Sequence, residues 1–382
     1  MTTMDTRVQP RLLDAAAADL GEHHRGHGPI PWQGGVGRMI GELQSAGLTG
    51  RGGAGFPTWR KVAEVATAAR AVVVANGAET EPGSRKDDTL LRRCPHLVLD
   101  GVQLLVEATG ADEAYLYVKP GDAMASVRHA LTERHGWDRV AVRVVAAPNR
   151  FVAGEESAVL AAIAGRPARP ADKWLPVVHS GLRGRATLVQ NVETCAHVAQ
   201  IARNGARWFR GLGTRDEPGT MLVTVHGAVR EVPIGIALSE LVTGPVLVGG
   251  YHGAWLSSPA PHLSRAALAP FGAAPGAGVL HPLAPGRCGL VETAAITRYL
   301  AGESAGQCGP CRNGLPATAA LLSALADRTA PPDAVHRLDH LTGLVVGRGA
   351  CRHPDGTARL IRSTLTVFGD EVRLHLAGRC SR

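Results

Sequence analysis

The sequence predicts an α/β domain, then a small β-rich module, then a helical C-terminal region. Three observations carry this. Between residues 58 and 147, helical stretches alternate with short apolar runs such as Ala71-Val72-Val73-Val74-Ala75, the pattern of buried strands joined by helices. From residue 219 the texture changes to alternating residues and turn signals, GTMLVTVHGAVREVPIG. From residue 290 onward the apolar spacing is helical.

In chain order, residues 1–37 read as a poorly patterned leader, and its stretch GEHHRGHGPIPWQGG as a mobile loop. A helix over 37–47 stops at Gly47, and a glycine-dense loop runs to Pro57. A helix over 58–69, a strand over 71–75 and a polar loop over 76–88 follow. Next come a helix (95–109), a strand (114–119), a helix (122–135) and a strand (140–147). Residues 151–164 are a loop entering a helix, and Gln190-Asn191-Val192-Glu193-Thr194 precedes another. The predicted boundaries are a leader (1–37), an α/β domain (38–217), a β module (218–285) and a helical domain (286–382).

Composition narrows the function classes. The 382 residues are 45% hydrophobic, enough for two or three cores. No charge-free apolar run approaches ~18 residues, so no membrane span is expected. The charged N-terminus does not suit a signal peptide, which predicts a cytoplasmic protein. Lys plus Arg number 41 against 33 Asp plus Glu, a net charge of +8. Aromatics are only 4% and no basic run reaches five residues, which argues against nucleic acid. Seven cysteines, an odd number, argue against a disulfide framework. Only Cys308-Gly309-Pro310-Cys311 has metal-ligand spacing, and thiolates suit zinc or iron–sulfur clusters.

Four segments carry chemistry. Gly50-Arg51-Gly52-Gly53-Ala54-Gly55 satisfies G-x-G-x-x-G but follows a helix, so it fails the context of a Rossmann fingerprint. Backbone lacking Cβ can still approach a phosphate, with Arg51 and Lys61 adding charge. Asn76, Glu79 and Glu81 lie just beyond a buried strand's C-terminal end, where open α/β sheets bind ligands. Gly154-Glu155-Glu156 opens a helix, and its carboxylates complement the helix dipole. Cys308 and Cys311 are joined, 40 residues downstream, by Cys351.

These segments stand in a recognisable order. The chain resembles the flavin- and NADH-binding (51 kDa) subunit of respiratory complex I and related subunits of NAD-linked hydrogenases and formate dehydrogenases. The resemblance rests on GLTGRGGAGFPTWRK (47–61), VVVANGAETEPGSRKDD (72–88), FVAGEESAVLAAIAGRPARP (151–170), SGLRGRATLVQNVET (180–194), ESAGQCGPCRNG (303–314) and GACRHPDG (349–356), and covers residues 40–370. It implies an FMN-binding α/β domain, a small β-grasp module and a helical iron–sulfur domain. It places Gly50, Arg51, Gly52 and Lys61 on the FMN phosphate. Asn76, Glu79, Glu81, Gly154, Glu155, Glu156 and Asn191 would lie near the flavin, with Glu79 and Glu156 in the catalytic role. Phe56 would lie near the NADH adenine. Cys308, Cys311 and Cys351 would hold the cluster.

The chain also departs from the family. Ala305 stands where the family has its first cluster cysteine. The fourth iron then takes water, Ser304 or a distant thiolate such as Cys288 or Cys380, or is lost, leaving a 4Fe-4S cluster, a 3Fe-4S cluster or an empty site. Ala78 replaces an aspartate, Gln190 an asparagine and Phe151 a tyrosine, while Trp174 stands in for a missing nucleotide-framing aromatic. The expected function is electron transfer from NAD(P)H through FMN to the cluster. The expected acceptor is a separate iron–sulfur protein, a ferredoxin or a quinone-reductase partner, at a site that is cytoplasmic or peripheral to a membrane complex. The alternative is a non-catalytic role in assembly.

Overall fold

The computed structural model describes residues 11–13, 17–172 and 174–382. The first part of the chain runs α1 (Leu20–His27), α2 (Val36–Ala46), α3 (Thr58–Val65), β1 (Ala71–Gly77), α4 (Lys86–Arg93), α5 (Pro95–Thr109), β2 (Glu113–Val118), α6 (Asp122–Glu133), β3 (Val142–Ala146), α7 (Glu156–Ile163), β4 (Ala186–Asn191) and α8 (Val192–Phe209). Its four strands form a parallel sheet in the order β3-β2-β1-β4. The chain therefore winds outward from β1 to β3 and returns to place β4 on β1's other side. That reversal makes a crevice between the C-terminal ends of β1 and β4.

β1 reads as an unbroken apolar run because both its faces are covered. Val73 and Ala75 join one core, with Leu97, Leu104 and Val198 of the helices behind the sheet. Val72 and Val74 join another, with Val159, Leu160 and Ile163 of α7. Helix α5 is buried along its whole length. It lies so close to α8 that a Cβ on Gly101 would sit 1.8 Å from the Cys195 carbonyl oxygen, so only glycine fits there.

The second part forms a mixed sheet in the order β6-β5-β9-β7-β8. Its strands are β5 (Thr220–Val225), β6 (Ala228–Pro233), β7 (Val246–Val248), β8 (Ala254–Leu256) and β9 (Val279–Pro282), with the short α9 (Arg265–Leu268) between β8 and β9. The third part is helical: α10 (Gly289–Gly302), α11 (Leu315–Ala326), α12 (Ala334–Val345), α13 (His353–Val367) and α14 (Gly369–Leu376). No helix of the described residues is long and apolar enough to cross a membrane.

Two expectations need correction. The polar loop after β1 ends early, because Lys86 to Arg93 form α4. The histidine-rich stretch is not a loop throughout, because α1 covers Leu20–His27, capped by Asp19. His23 is 1% exposed and pairs with Asp100 of α5 at 2.8 Å, a carboxylate that also takes Arg134 and Arg203. A buried carboxylate so distant in sequence leaves no local trace in the periodicity. Residues 1–10 and 14–16 of the expected leader lie outside the described residues. Arg11, Leu12 and Leu13 do belong to the fold, since their amides all donate to Glu231 of β6.

Candidate functional site: a cleft at the sheet's switch point

A cleft of about 490 Å³ opens where the sheet order reverses. Gly50, Arg51, Gly52, Phe56, Lys61, Asn76, Glu79, Glu81, Gly154, Glu155, Glu156 and Asn191 all line it. Sequence motifs spread over more than 140 residues thus converge on one cavity.

The glycine loop forms one wall. It is closed by a bridge between Thr49 and Pro57, with the Gly50 amide donating to the Phe56 carbonyl at 2.9 Å. The Gly52 amide donates to no protein group among the described residues. Gly55 has φ +64°, and a Cβ there would lie 2.1 Å from Arg265 Nε, so the loop needs glycine on both counts. Arg265 braces the loop by donating to the Gly53 carbonyl at 2.5 Å.

Arg51 does not do what its motif position suggested. Its guanidinium is buried and turned away, donating to the carbonyls of Thr49, Thr220 and Pro218. Burial brings its pKa down to about 10, partly offset by Glu193. It ties the loop to β5 and supplies no free charge to the cleft. Lys61 is the loop-side cation, paired with Glu156 Oε1 at 2.9 Å.

The floor is a network of buried charge. Lys86 reaches Asp87 at 2.7 Å, Glu193 at 2.9 Å and Asn191 Oδ1 at 3.3 Å. Burial alone would depress its pKa, but Asp87 and Glu193 outweigh that and hold it above the usual lysine value. Glu79 accepts from the Ser84 hydroxyl and from the amides of Asp87 and Asp88, both at 3.1 Å, so it holds the first turn of α4. Burial, and then the nearby Asp87, raise its pKa. Glu81 accepts from the Tyr251 amide at 3.0 Å, and burial pushes its pKa up to about 7. Glu155 caps α7, taking the amides of Ser157 at 2.8 Å and Ala158 at 3.2 Å.

Other lining residues carried no motif of their own: Lys86, Asp87, Gln190 and Arg352. The Gln190 Nε2 is buried without a hydrogen-bond partner among the described residues. Phe56 is 43% exposed at the rim. Phe151 does not line the cleft but packs edge-on against His252 and Tyr299. Trp174 is 96% exposed and is absent from the cleft walls, so it is no replacement for the missing aromatic.

Cys308, Cys311 and Cys351 come together beside the cleft. Cys311 lies in a single π-helical turn, Pro310–Gly314, where one residue more per turn re-aims the side chain. Burial, then the Cys308 and Cys351 sulfurs, push its thiol up to about 12. Burial also opposes ionisation of Cys308, but the amides of Ala350 and Cys311 outweigh it and hold that thiol below its usual range. Arg352, next to Cys351, lines the cleft itself. Ala305 precedes Gly306, whose amide meets Cys311. Cys288 cannot fill the place that Ala305 leaves. It is the N-cap of α10, while the 305–308 segment follows that helix's other end, and 14 helical residues span about 21 Å.

Comparison with known proteins gives a consistent picture. Residues 43–200 match the Nuo51 FMN-binding domain, and residues 292–375 match the NADH-ubiquinone oxidoreductase-F iron-sulfur binding region. The chain is 30% identical over 372 residues to the second NADH-quinone oxidoreductase F-subunit of Rhizobium meliloti, covering 88% of each chain. It is 28% identical over 374 residues to the NADH-quinone oxidoreductase F-subunit of Escherichia coli, covering 87% of this chain and 83% of that one. It superposes on an NAD+-reducing NiFe hydrogenase structure with TM-score 0.83 and 30% identity. That match covers 89% of this chain but spans only 62% of the hydrogenase chain.

Proposed function

The chain belongs to the family of NADH-quinone oxidoreductase F-subunits, and from that premise we propose that its cleft holds FMN and takes electrons from NADH. The observation that carries this is the convergence of the twelve motif residues on the switch-point cleft. The residues present fit the flavin. The free Gly52 amide and Lys61 suit a phosphate, and the orphaned Gln190 Nε2 supplies a donor for a polar ring edge. When bound, FMN supplies the conversion between two-electron and one-electron transfer.

The protein's own residues position and bias. The loop 50–55 presents backbone to the phosphate end. Glu156 fixes the Lys61 ammonium, and Glu79 holds the start of α4 so that Lys86 and Asp87 face the cavity. Glu81 places a carboxyl at the cleft with its proton poised near neutrality. Phe56 offers an exposed ring for the adenine to stack on.

Cys308, Cys311 and Cys351 would hold the iron–sulfur cluster. They supply three thiolates and not four, which fits a three-iron cluster or a four-iron cluster with one corner unligated by cysteine. The acceptor in this reading is a separate iron–sulfur protein or ferredoxin, since the chain reads as an FMN domain (38–217), a β-grasp module (218–285) and a cluster domain (286–382). The test is flavin retention. Protein purified after FMN reconstitution should hold about one flavin per chain. Gly52→Val should lose it while staying folded by circular dichroism; a Gly52→Val protein that keeps its flavin would refute the phosphate assignment.

A further inference from the structure

The C-terminal helices hold a second cluster of ligating side chains, remote from the cleft and its three cysteines. Cys288, Glu371, His375 and Cys380 each offer an atom, and these atoms all lie within 4.8 Å of one another. Glu371 and His375 sit one turn apart on the same face of α14, a spacing that aims two ligands at one point. Cys288 arrives from the N-cap of α10, and Cys380 from the segment after α14. Cys288 and His375 are buried.

The geometry is that of ligands rather than of a chance polar contact. His375 Nδ1 meets the Leu325 carbonyl at 3.0 Å, and a carbonyl can only accept, so Nδ1 carries the proton. Nε2 is thereby turned inward, 3.5 Å from Cys288 Sγ and 3.3 Å from Glu371 Oε1. A carbonyl bond to the outer nitrogen is the usual second partner of a metal-bound histidine. Glu371 is oriented in the same way, by the amide of Ser381 at 2.9 Å and its hydroxyl at 2.5 Å.

We propose that Cys288, Glu371, His375 and Cys380 form a structural zinc site that clips the C-terminal turn to the start of α10. Two thiolates, an imidazole and a carboxylate are four ligands of the types that tetrahedral zinc takes. The carboxylate disfavours Cu(I), and two cysteines are too few for an iron–sulfur cluster. On binding, the protons of the two thiols pass to solvent, and His375 enters neutral with its proton on Nδ1. No electron moves.

The test is metal analysis of the full chain, purified under reducing conditions without chelator. The wild type should carry about one zinc per chain in addition to its iron. Cys380→Ser lies outside every helix, so it should fold normally and lose at least nine-tenths of that zinc. Cys308→Ser should keep the zinc and lose iron. Cobalt(II) added to zinc-stripped wild type should give thiolate charge-transfer bands and intense tetrahedral bands, both absent in Cys380→Ser. Three results would each overturn the site: wild type that takes up no zinc when supplied with it, zinc unchanged in Cys380→Ser, or a Cys288–Cys380 disulfide in anaerobically prepared protein.

Discussion

Asn76 and Asn191 stand opposite each other in the register of β1 and β4, and the Asn191 amide donates to the Asn76 carbonyl at 3.2 Å. Each then reaches beyond the sheet. Asn76 Nδ2 donates to the Gly154 carbonyl at 3.0 Å, fixing the entry to α7. Asn191 donates to Asp87 at 2.8 Å, accepts from Lys86, and caps α8 through the Glu193 amide. Two asparagines thus tie two strand ends to the helices that wall the cleft.

Asn191→Ala removes the α8 cap and one partner each from Lys86 and Asp87. The cap alone is worth about 1 kcal/mol, and the lost charged hydrogen bonds bring the expected cost to roughly 2–3 kcal/mol. Urea denaturation of flavin-free protein measures this. Flavin affinity should also fall, read by fluorescence titration. A midpoint unchanged from wild type would remove Asn191 from this structural role.

Gly154→Ala tests a close approach. The added Cβ would lie 2.7 Å from Thr80 Oγ1 and 3.3 Å from the Ala78 carbonyl, so the 78–81 loop must move. The variant should bind FMN at least tenfold more weakly. Gly302→Ala, where a Cβ meets nothing within 4 Å, should bind it as the wild type does. Equal flavin affinity in both would show that the loop can give way.

Glu81 predicts a pH dependence of stability. Its native pKa is near 7, above the value of about 4.5 that it takes in the unfolded chain. Between those values the native state keeps a proton that the unfolded chain has lost, so stability falls as pH rises from about 4.5 to about 7. The loss attributable to this group is roughly 1–3 kcal/mol. Comparing the urea midpoints of flavin-free wild type and Glu81→Gln between pH 5 and 8 isolates it. Parallel curves would contradict the raised pKa.

Ala305→Cys should restore a fourth thiolate. Bound iron after anaerobic reconstitution should rise from about three towards about four per chain, with the three-iron electron paramagnetic resonance signal of the oxidised wild type disappearing. Unchanged iron would mean that the fourth corner is filled without cysteine.

Much of this was legible in the sequence. Helix α5 falls on its predicted range because Pro95 opens it and Gly110 closes it. The cleft residues were legible because glycine loops and strand-end polar residues carry local signals. What escaped depends on partners distant in sequence. Lys86 looked like part of a polar loop, and only Glu193, more than a hundred residues on, makes it a buried network cation. Arg51 had the right motif position, but carbonyls of Thr220 and Pro218 claim its side chain. His23 looked solvated because Asp100 lies 77 residues away.

The central claim, that this cleft passes electrons from NADH through FMN, is tested most directly by an anaerobic visible absorption spectrum of the FMN-loaded protein before and after NADH. The account predicts a flavin band that bleaches on addition, with the broad iron–sulfur absorbance falling alongside it. A flavin band that stays unchanged with NADH would contradict it and favour a chain kept for assembly rather than for catalysis.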